Sequence, residues 1–285
     1  MKDEIQKVIE LTGATKDRIK LNDDGHVSRV YVVGDGEYIV KFPRWEELNY
    51  NNEVAALNYL NTLELPVNIQ RVKWVADNHR CIVFHGVKGT PLDKIKNLTT
   101  EQKQSIGKQI GAFIKLLHSI KPGTIDIGMR TLEKELQNYN KVFDELQDFF
   151  KKYLTPKEHE RVNYLAYEYL PKMRRELGEK LVFAHEDIYE PNIIVDENGK
   201  VGIIDFGNAG YHEQAVDFGI DDVELGKIVL DAYGADEKVR KKVELKYDTS
   251  VLAHPKYHIE RHGDKSEFDR MALIVRGIIN KYKSF

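Results

Sequence analysis

The sequence predicts an α+β fold, with strands first and helices after, on three observations. Five short runs rich in β-branched and aromatic residues precede or end at Phe84, with turn signals between them that favour an antiparallel sheet. From Thr99 onward, apolar residues recur at helical spacing over long stretches. One further pair of β-branched runs, Ile193 to Val195 and Val201 to Ile204, interrupts the helical part, and Asp187, Asn192 and Asp205 lie at its margins.

A chain of 285 residues that is 41% hydrophobic can bury a sizeable core and is usually one large domain or two small ones. The single cysteine, Cys81, sits in an apolar run and has no partner for an internal disulfide, in keeping with a reducing cytoplasm. The opening Met1-Lys2-Asp3-Glu4 leads into an amphipathic pattern, unlike a signal peptide, and no apolar run approaches the roughly 18 residues of a membrane span. A cytoplasmic protein with no membrane partner is therefore expected. No repeat, low-complexity tract or flexible linker stands out.

In chain order, Lys2 to Leu11 puts Ile5, Val8 and Ile9 on one helical face and stops near Gly13. Strand-like runs follow at Arg18 to Leu21, Val27 to Val33 and Tyr38 to Phe42, the last two joined by Gly34-Asp35-Gly36. Alternation along the third run sends Ile39 and Lys41 to one face and Tyr38, Val40 and Phe42 to the other. Trp45 to Leu60 has few breakers and reads as a helix, with Val54, Leu57 and Leu60 inward and Glu53 twelve residues after Lys41. Val72 to Ala76 and Cys81 to Phe84 complete the five strands around the turn Asp77-Asn78-His79. His85-Gly86-Val87-Lys88-Gly89 is a short glycine-bearing connector before the helices.

Thr99 to Ile120 reads as one long amphipathic helix ended by Pro122-Gly123, and Thr131 to Tyr153 repeats the pattern. Thr155-Pro156-Lys157-Glu158 is a capping box that opens a helix to about Leu170. After the hairpin, a helix with Val223, Ile228 and Val229 runs to Gly234. The remainder to Phe285 is helical in pattern, with Phe268, Met271, Val275, Ile278 and Ile279 at core spacing. His254, His258 and His262 recur every fourth residue there; a histidine-bearing solvent face is the plainer reading than a zinc site, since no fourth ligand is evident.

The stretch His185 to Gly207, HEDIYEPNIIVDENGKVGIIDFG, carries the chemistry. Asn198-Gly199 supplies a turn where positive φ is cheap, so the hairpin returns Asp205 to the rim where Asn192 starts. An Asp, an Asn and a second Asp in this arrangement are what phosphoryl transfer needs. The first carboxylate accepts or orients the proton of an attacking hydroxyl, while the amide and second carboxylate hold magnesium against nucleotide phosphates. From His185 to Glu224 there are eleven acidic residues against one lysine, Lys200, so this segment carries -10 and the rest of the chain +7. Such a field repels nucleic acid and attracts magnesium or a polyamine-like substrate, unless it is only a solvated acidic face.

His185, Asp187 and Asn192, in the pattern HxDxxxxN, followed by Ile203-Ile204-Asp205-Phe206-Gly207, resemble the catalytic and metal loops of the protein-kinase-like superfamily, and specifically of the aminoglycoside phosphotransferases. Val40-Lys41-Phe42-Pro43-Arg44 is similar to the string of the subgroup acting at the 2″ hydroxyl. The resemblance covers nearly the whole chain. It implies a two-lobed protein-kinase-like fold: an N-terminal lobe over residues 1–84 with an antiparallel five-stranded sheet, a hinge over 85–89, and a mostly helical C-terminal lobe over 90–285.

The resemblance also implies roles. Asp187 would be the catalytic residue and Asn192 and Asp205 the Mg2+ ligands, with His185 and Asp217 bracing the loop. Lys41, paired with Glu53, would hold the phosphates of ATP or GTP, although Glu46 and Glu47 compete with Glu53 on the same helix. The loop Asn22 to Ser28 sits where such folds close over phosphate, and Ser28 either meets a phosphate or belongs to a plain turn. The His85 carbonyl and Val87 amide would bind the adenine edge, with Ile39, Ile194 and Ile204 also on the nucleotide side. Glu186, Glu190, Asp221, Asp222 and Glu224 form either an ammonium-binding rim for a polycationic acceptor or, in part, a favourable charge at a helix start.

Only Asn208 to Gln214 separates Gly207 from Ala215-Val216-Asp217-Phe218, too short for the activation segment with which protein kinases dock polypeptides. A small-molecule acceptor is expected, most simply an aminoglycoside antibiotic, with antibiotic resistance as the consequence and no obligate protein partner. Another small-molecule kinase, for choline, homoserine, a sugar or a macrolide, is the alternative; a choline site would need an aromatic cage. A silent nucleotide-binding module is a third reading, against which stands Asp187, which nucleotide binding alone does not require.

Overall fold

The computed structural model describes residues 2–22, 27–45, 50–76, 78, 80–261 and 265–283. In chain order its elements are α1 (Lys2–Thr12), β1 (Ile19–Asn22), β2 (Ser28–Val33), β3 (Tyr38–Pro43), α2 (Asn51–Leu60), β4 (Asn68–Ile69), β5 (Arg71–Ala76), β6 (Cys81–His85), β7 (Thr90–Pro91) and α3 (Thr100–Leu117). They continue with α4 (Leu132–Glu145), α5 (Gln147–Tyr153), α6 (Pro156–Tyr164), α7 (Leu170–Glu176), β8 (Leu181–Ala184), β9 (Ile193–Val195), β10 (Val201–Ile203), β11 (Gly210–Glu213), α8 (Val223–Tyr233), α9 (Glu237–Arg261) and α10 (Lys265–Lys281). No helix among the described residues is long and apolar enough to cross a membrane.

Contacts group the chain into two compact units. The first is Met1–Met129, Val182–Tyr211 and Asp217–Gly234; the second is Arg130–Leu181, His212–Val216 and Ala235–Phe285. This grouping cuts across the lobe boundaries expected from the sequence, which stay a proposal.

In the first unit the five expected strands form one antiparallel sheet in the order β1-β2-β3-β6-β5. The hairpin between β2 and β3 turns at Gly34 and Gly36, both at positive φ, where a side chain would be strained. One face of the sheet packs Tyr31, Val33, Val40, Phe42, Cys81 and Val83 with Val8 of α1. The opposite face joins a larger core with Leu57 and Leu60 of α2, Phe113 and Leu117 of α3, and Ile193, Val201 and Phe206 around the second hairpin. That hairpin, β9 and β10, belongs to a separate four-stranded sheet in the order β4-β10-β9-β7. Its five-residue turn closes through Asp196, whose N–H donates to the Lys200 carbonyl at 3.0 Å and whose Oδ1 accepts from the Asn198 and Lys200 N–H groups, with Gly199 at positive φ as expected.

The second unit is helical. Phe143, Phe150, Leu165, Leu170, Leu252, Met271 and Val275 form its core. The helix expected over Thr131 to Tyr153 is instead two, because the chain tightens at Leu146, whose N–H is shared between the Val142 and Phe143 carbonyls while the Gln147 side chain also takes the Phe143 carbonyl. Apolar periodicity did not reveal the break, since both pieces face the same core. The capping box at Thr155 and Glu158 forms as expected. The helix it opens loosens into a π turn over Leu165–Tyr169 just before Pro171, which has no N–H to give, and continues as α7.

Candidate active site

Alternation along β3 decides the first part of the site. Val40 and Phe42 enter the core beneath α1, so Lys41 is delivered to the opposite face, where it is 5% exposed. Its ammonium donates to Glu53 Oε1 of α2 at 2.8 Å and to Asp205 Oδ1 at 2.8 Å. Burial alone would lower the Lys41 pKa, but the Asp205 and Glu53 carboxylates outweigh it and raise the group above its usual range. Burial holds Glu53 up despite Lys41. For Asp205, burial is the largest single influence and pushes up, but the Lys41 charge and hydrogen bond, with His185 and the Gly207 N–H, together outweigh it and lower the carboxyl below its ordinary value. Lys41 is thus held between one sequestered acid and one whose side chain is still 47% exposed and can meet a ligand.

The second part is the loop after β8. Asn192, at the end of a short 3-10 turn, donates from Nδ2 to both the backbone carbonyl and Oδ2 of Asp187, each at 3.0 Å. This fixes the Asp187 carboxylate. Burial first, and the nearby Asp205 charge second, push its pKa up to about 6, with the Asn192 bond opposing. His185 takes the Asp187 N–H on Nδ1 at 3.1 Å, so its Nε2 carries the hydrogen and donates to the Ile204 carbonyl at 3.0 Å. Burial lowers its pKa, consistent with that neutral tautomer. Asp217 is fully buried and accepts from the backbone N–H of His185 at 3.2 Å and of Glu186 at 2.6 Å. It also faces His118 Nε2 at 3.1 Å.

Asp205 has a left-handed backbone, φ 66, and its N–H donates to Gln70 Oε1 at 3.0 Å. The donor set here suits a magnesium ion. Asn192 commits both amide hydrogens to Asp187, which leaves its Oδ1 as an oxygen donor, and Asp205 has a second carboxylate oxygen beyond the one on Lys41. Mg2+ favours hard oxygens and is commonly held by one or two protein groups, with phosphates and water completing the shell. Among the described residues no group of three His, Cys, Asp or Glu side chains could hold a metal by itself.

The remaining predicted residues fare differently. Ser28 is buried and its hydroxyl shares a hydrogen bond with the Tyr50 hydroxyl at 2.8 Å; residues 23–26 of its loop lie outside the described residues. Glu46 and Glu47, the alternatives to Glu53, also lie outside them, as do Asp77 and His79 of the expected turn. His85 ends β6 between Tyr38 and Arg71, its imidazole 5.3 Å from the Tyr38 ring. Val87 packs on Gly202, where a Cβ would sit 2.3 Å from its Cγ1. Ile194 is buried opposite Gly202 in β9, Ile39 is half-buried against the larger core, and the Ile204 N–H donates to the Asn192 carbonyl at 3.1 Å.

The acidic rim is not a set of free carboxylates. Asp222 caps α8 through the Leu225 N–H, and Lys103 bridges Asp222 at 2.8 Å and Glu224 at 2.9 Å. Glu190 Oε1 accepts from the Asp221 and Asp222 N–H groups. Glu186 has a left-handed backbone, φ 70, beneath Asp217. His254 is exposed on α9, while the His258 side chain and His262 lie outside the described residues. Gln70, His118, Tyr50 and Lys103 were not anticipated. Tyr50 and Lys103 stand between polar neighbours in sequence, and Gln70 and His118 each have one, so no local signal marks them out.

Taken together, the antiparallel sheet, the helix-borne acid paired to a strand lysine, and the Asp-Asn-Asp hairpin define a kinase-like phosphotransferase. The model of the phosphotransferase enzyme family matches residues 18–220, and the chain belongs to that family. Solved structures agree in fold. Aminoglycoside phosphotransferase APH(2'')-Ib in its ADP-bound form is 19% identical with a TM-score of 0.71, over 98% of this chain and 97% of that chain. The GDP and kanamycin complex of APH(2")-IIia is 15% identical with a TM-score of 0.78, over 99% of each. A microcompartment-associated aminopropanol kinase is 15% identical with a TM-score of 0.74, over 100% of this chain and 98% of that one. No curated protein sequence matches the chain.

Proposed function

We propose that this protein transfers the γ-phosphoryl group of ATP or GTP to a hydroxyl of a small cationic acceptor, an aminoglycoside being the acceptor class its similarities favour. The observation that carries the reading is the bonding pattern in one site: Lys41 on Glu53 and Asp205, and Asn192 on Asp187. In this reading Asp187 aligns the acceptor hydroxyl and takes its proton. The freed oxygen forms the new bond to the γ-phosphorus, and the bond to the β-bridging oxygen breaks to release the nucleoside diphosphate. Lys41 binds the phosphates, and Glu53 keeps its ammonium from resting wholly on Asp205. Asn192 and Asp205 would hold Mg2+, which when bound supplies neutralising charge at the phosphates. Asp217 and His185 fix the loop backbone on which Asp187 stands. The His85 carbonyl, the Val87 N–H and the side chains of Ile39, Ile194 and Ile204 are the adenine or guanine contacts of this reading.

The amine of the acceptor is supported by the similar structures, whose names include an aminoglycoside phosphotransferase and an aminopropanol kinase. Both acceptor names pair an amino group with a hydroxyl. Among the acidic side chains of the rim, Asp221 is the candidate for that ammonium in this reading. Asp222 and Glu224 already share Lys103, and Glu190 supports backbone N–H groups.

The test is phosphoryl transfer from Mg-ATP and Mg-GTP over a panel of aminoglycosides, amino alcohols, macrolides, choline and sugars. Transfer to aminoglycosides is expected. Transfer confined to amino alcohols moves the acceptor to that class, and transfer to no member would overturn the enzymatic reading in favour of a silent nucleotide-binding module.

A further inference from the structure

Two residues of the site outside glycine hold left-handed backbone: Glu186 at φ 70 and Asp205 at φ 66. Such conformations persist only where neighbours over-determine them. In both cases the strained residue's own N–H is held by a buried side chain from elsewhere in the fold: Glu186 by Asp217 at 2.6 Å, and Asp205 by Gln70 Oε1 at 3.0 Å. The second arrangement has no counterpart among the roles already assigned.

Gln70 is 3% exposed and occupies a specific junction. It is the single residue between β4, which pairs with β10 of the catalytic hairpin, and β5, an edge of the five-stranded sheet. Its backbone carbonyl accepts from Asn61 Nδ2 at 3.1 Å, and the same nitrogen donates to the Leu57 carbonyl at 2.8 Å at the end of α2. Glu53 lies on that helix. The strand junction, the helix carrying Glu53 and the backbone of Asp205 are therefore joined by Asn61 and Gln70, independently of the Lys41 ion pairs.

We propose that Gln70 is a positioning residue: its side-chain carbonyl latches the Asp205 N–H and so keeps the Asp205 carboxylate in the left-handed geometry that faces Lys41 and the metal position. Without the latch, Asp205 relaxes toward ordinary φ, and its carboxylate turns away for part of the time. A fractionally populated binding-competent state weakens apparent affinity by that fraction. The inference rests on the reading of Asp205 as a metal holder, so its test includes a readout that does not.

The test uses the whole 285-residue chain with Gln70→Leu, which removes the acceptor and puts a somewhat shorter apolar side chain in its place. Hydrogen exchange at the Asp205 amide is measured without nucleotide or metal, and ADP and GDP are titrated by calorimetry with and without Mg2+. Faster exchange at Asp205 is expected, together with a rise of about 5- to 100-fold in the Mg2+ concentration that half-maximally tightens nucleotide binding. Metal-free nucleotide affinity, set by Lys41, should stay within about threefold. Exchange at Asp205 unchanged from wild type would overturn the proposal, as would a loss of metal-free and metal-dependent affinity in equal proportion. Should wild-type nucleotide affinity not respond to Mg2+ at all, the metal reading of Asp205 fails and exchange at its amide alone decides the latch. If Gln70→Leu does not fold, Asn61→Ala, which loosens Gln70 from outside, must accelerate exchange at Asp205, and its failure to do so overturns the proposal.

Discussion

Replacing Glu53 by Gln separates activity from stability in a way that follows from the geometry. Glu53 is 1% exposed and gives Lys41 one of its two carboxylate contacts, the other being Asp205, both at 2.8 Å. With Glu53 neutral, the ammonium is drawn to Asp205 alone, away from the phosphates it is proposed to bind. A hydrogen bond to a charged group contributes about 1.5–3 kcal/mol, or roughly 10- to 150-fold in rate, so kcat/KM for the nucleotide should fall by that factor. Stability should change less. Burial holds the Glu53 carboxyl above its usual range, so a neutral amide also removes the cost of keeping that charge from water, and Lys41 retains Asp205 as a partner. A net change within about 1–2 kcal/mol would move Tm by roughly 2–8 °C. Steady-state transfer to the acceptor found by the panel, with a melting curve on the same preparations, checks both numbers. A loss of less than about threefold in kcat/KM, in protein that is folded at the assay temperature, would show that Asp205 alone sets Lys41 and would refute the reasoning.

Three further outcomes are expected. Because burial and the neighbouring Asp205 raise the Asp187 carboxyl to about 6, and its ionised form is the one that takes a proton, kcat/KM should fall as pH drops through that value. Asp187→Ala should lower turnover by roughly 10²- to 10⁴-fold and abolish the acid limb, with nucleotide binding largely kept; a limb that survives the substitution belongs to another group. Asp217→Ala should cost about 2–5 kcal/mol, since it strands the buried N–H groups of His185 and Glu186, and Asp217→Asn should recover part of that loss by keeping one acceptor; equal melting temperatures for the two variants would argue against backbone bracing.

Much of the site was legible because its chemistry is local or periodic. Alternation fixed the face of Lys41, spacing placed Glu53 on the following helix, and the hairpin returned Asp205 toward Asn192; each depends on contacts between residues close in sequence. The hydrogen bond from Asn192 to Asp187 was not among the expectations, which gave the two separate roles, although only five residues separate them. Ser28 read as a phosphate contact or turn residue; its hydroxyl bond to Tyr50 is a pairing between a strand and a helix start that no periodicity encodes. The acidic run from His185 to Glu224 looked like a field for cations. Its far end is instead quenched by Lys103, more than a hundred residues earlier, because α3 packs beside α8.

The sequence by itself determined the antiparallel sheet, the helical remainder and the types of residue that meet in the site, because alternation, capping and turn preference act within a few residues. Only the tertiary structure decided which charges stay free and how the two left-handed residues are held. Those depend on buried hydrogen bonds from Asp217, His118 and Gln70, and the direction of a buried side chain is set by the packing of distant elements around it.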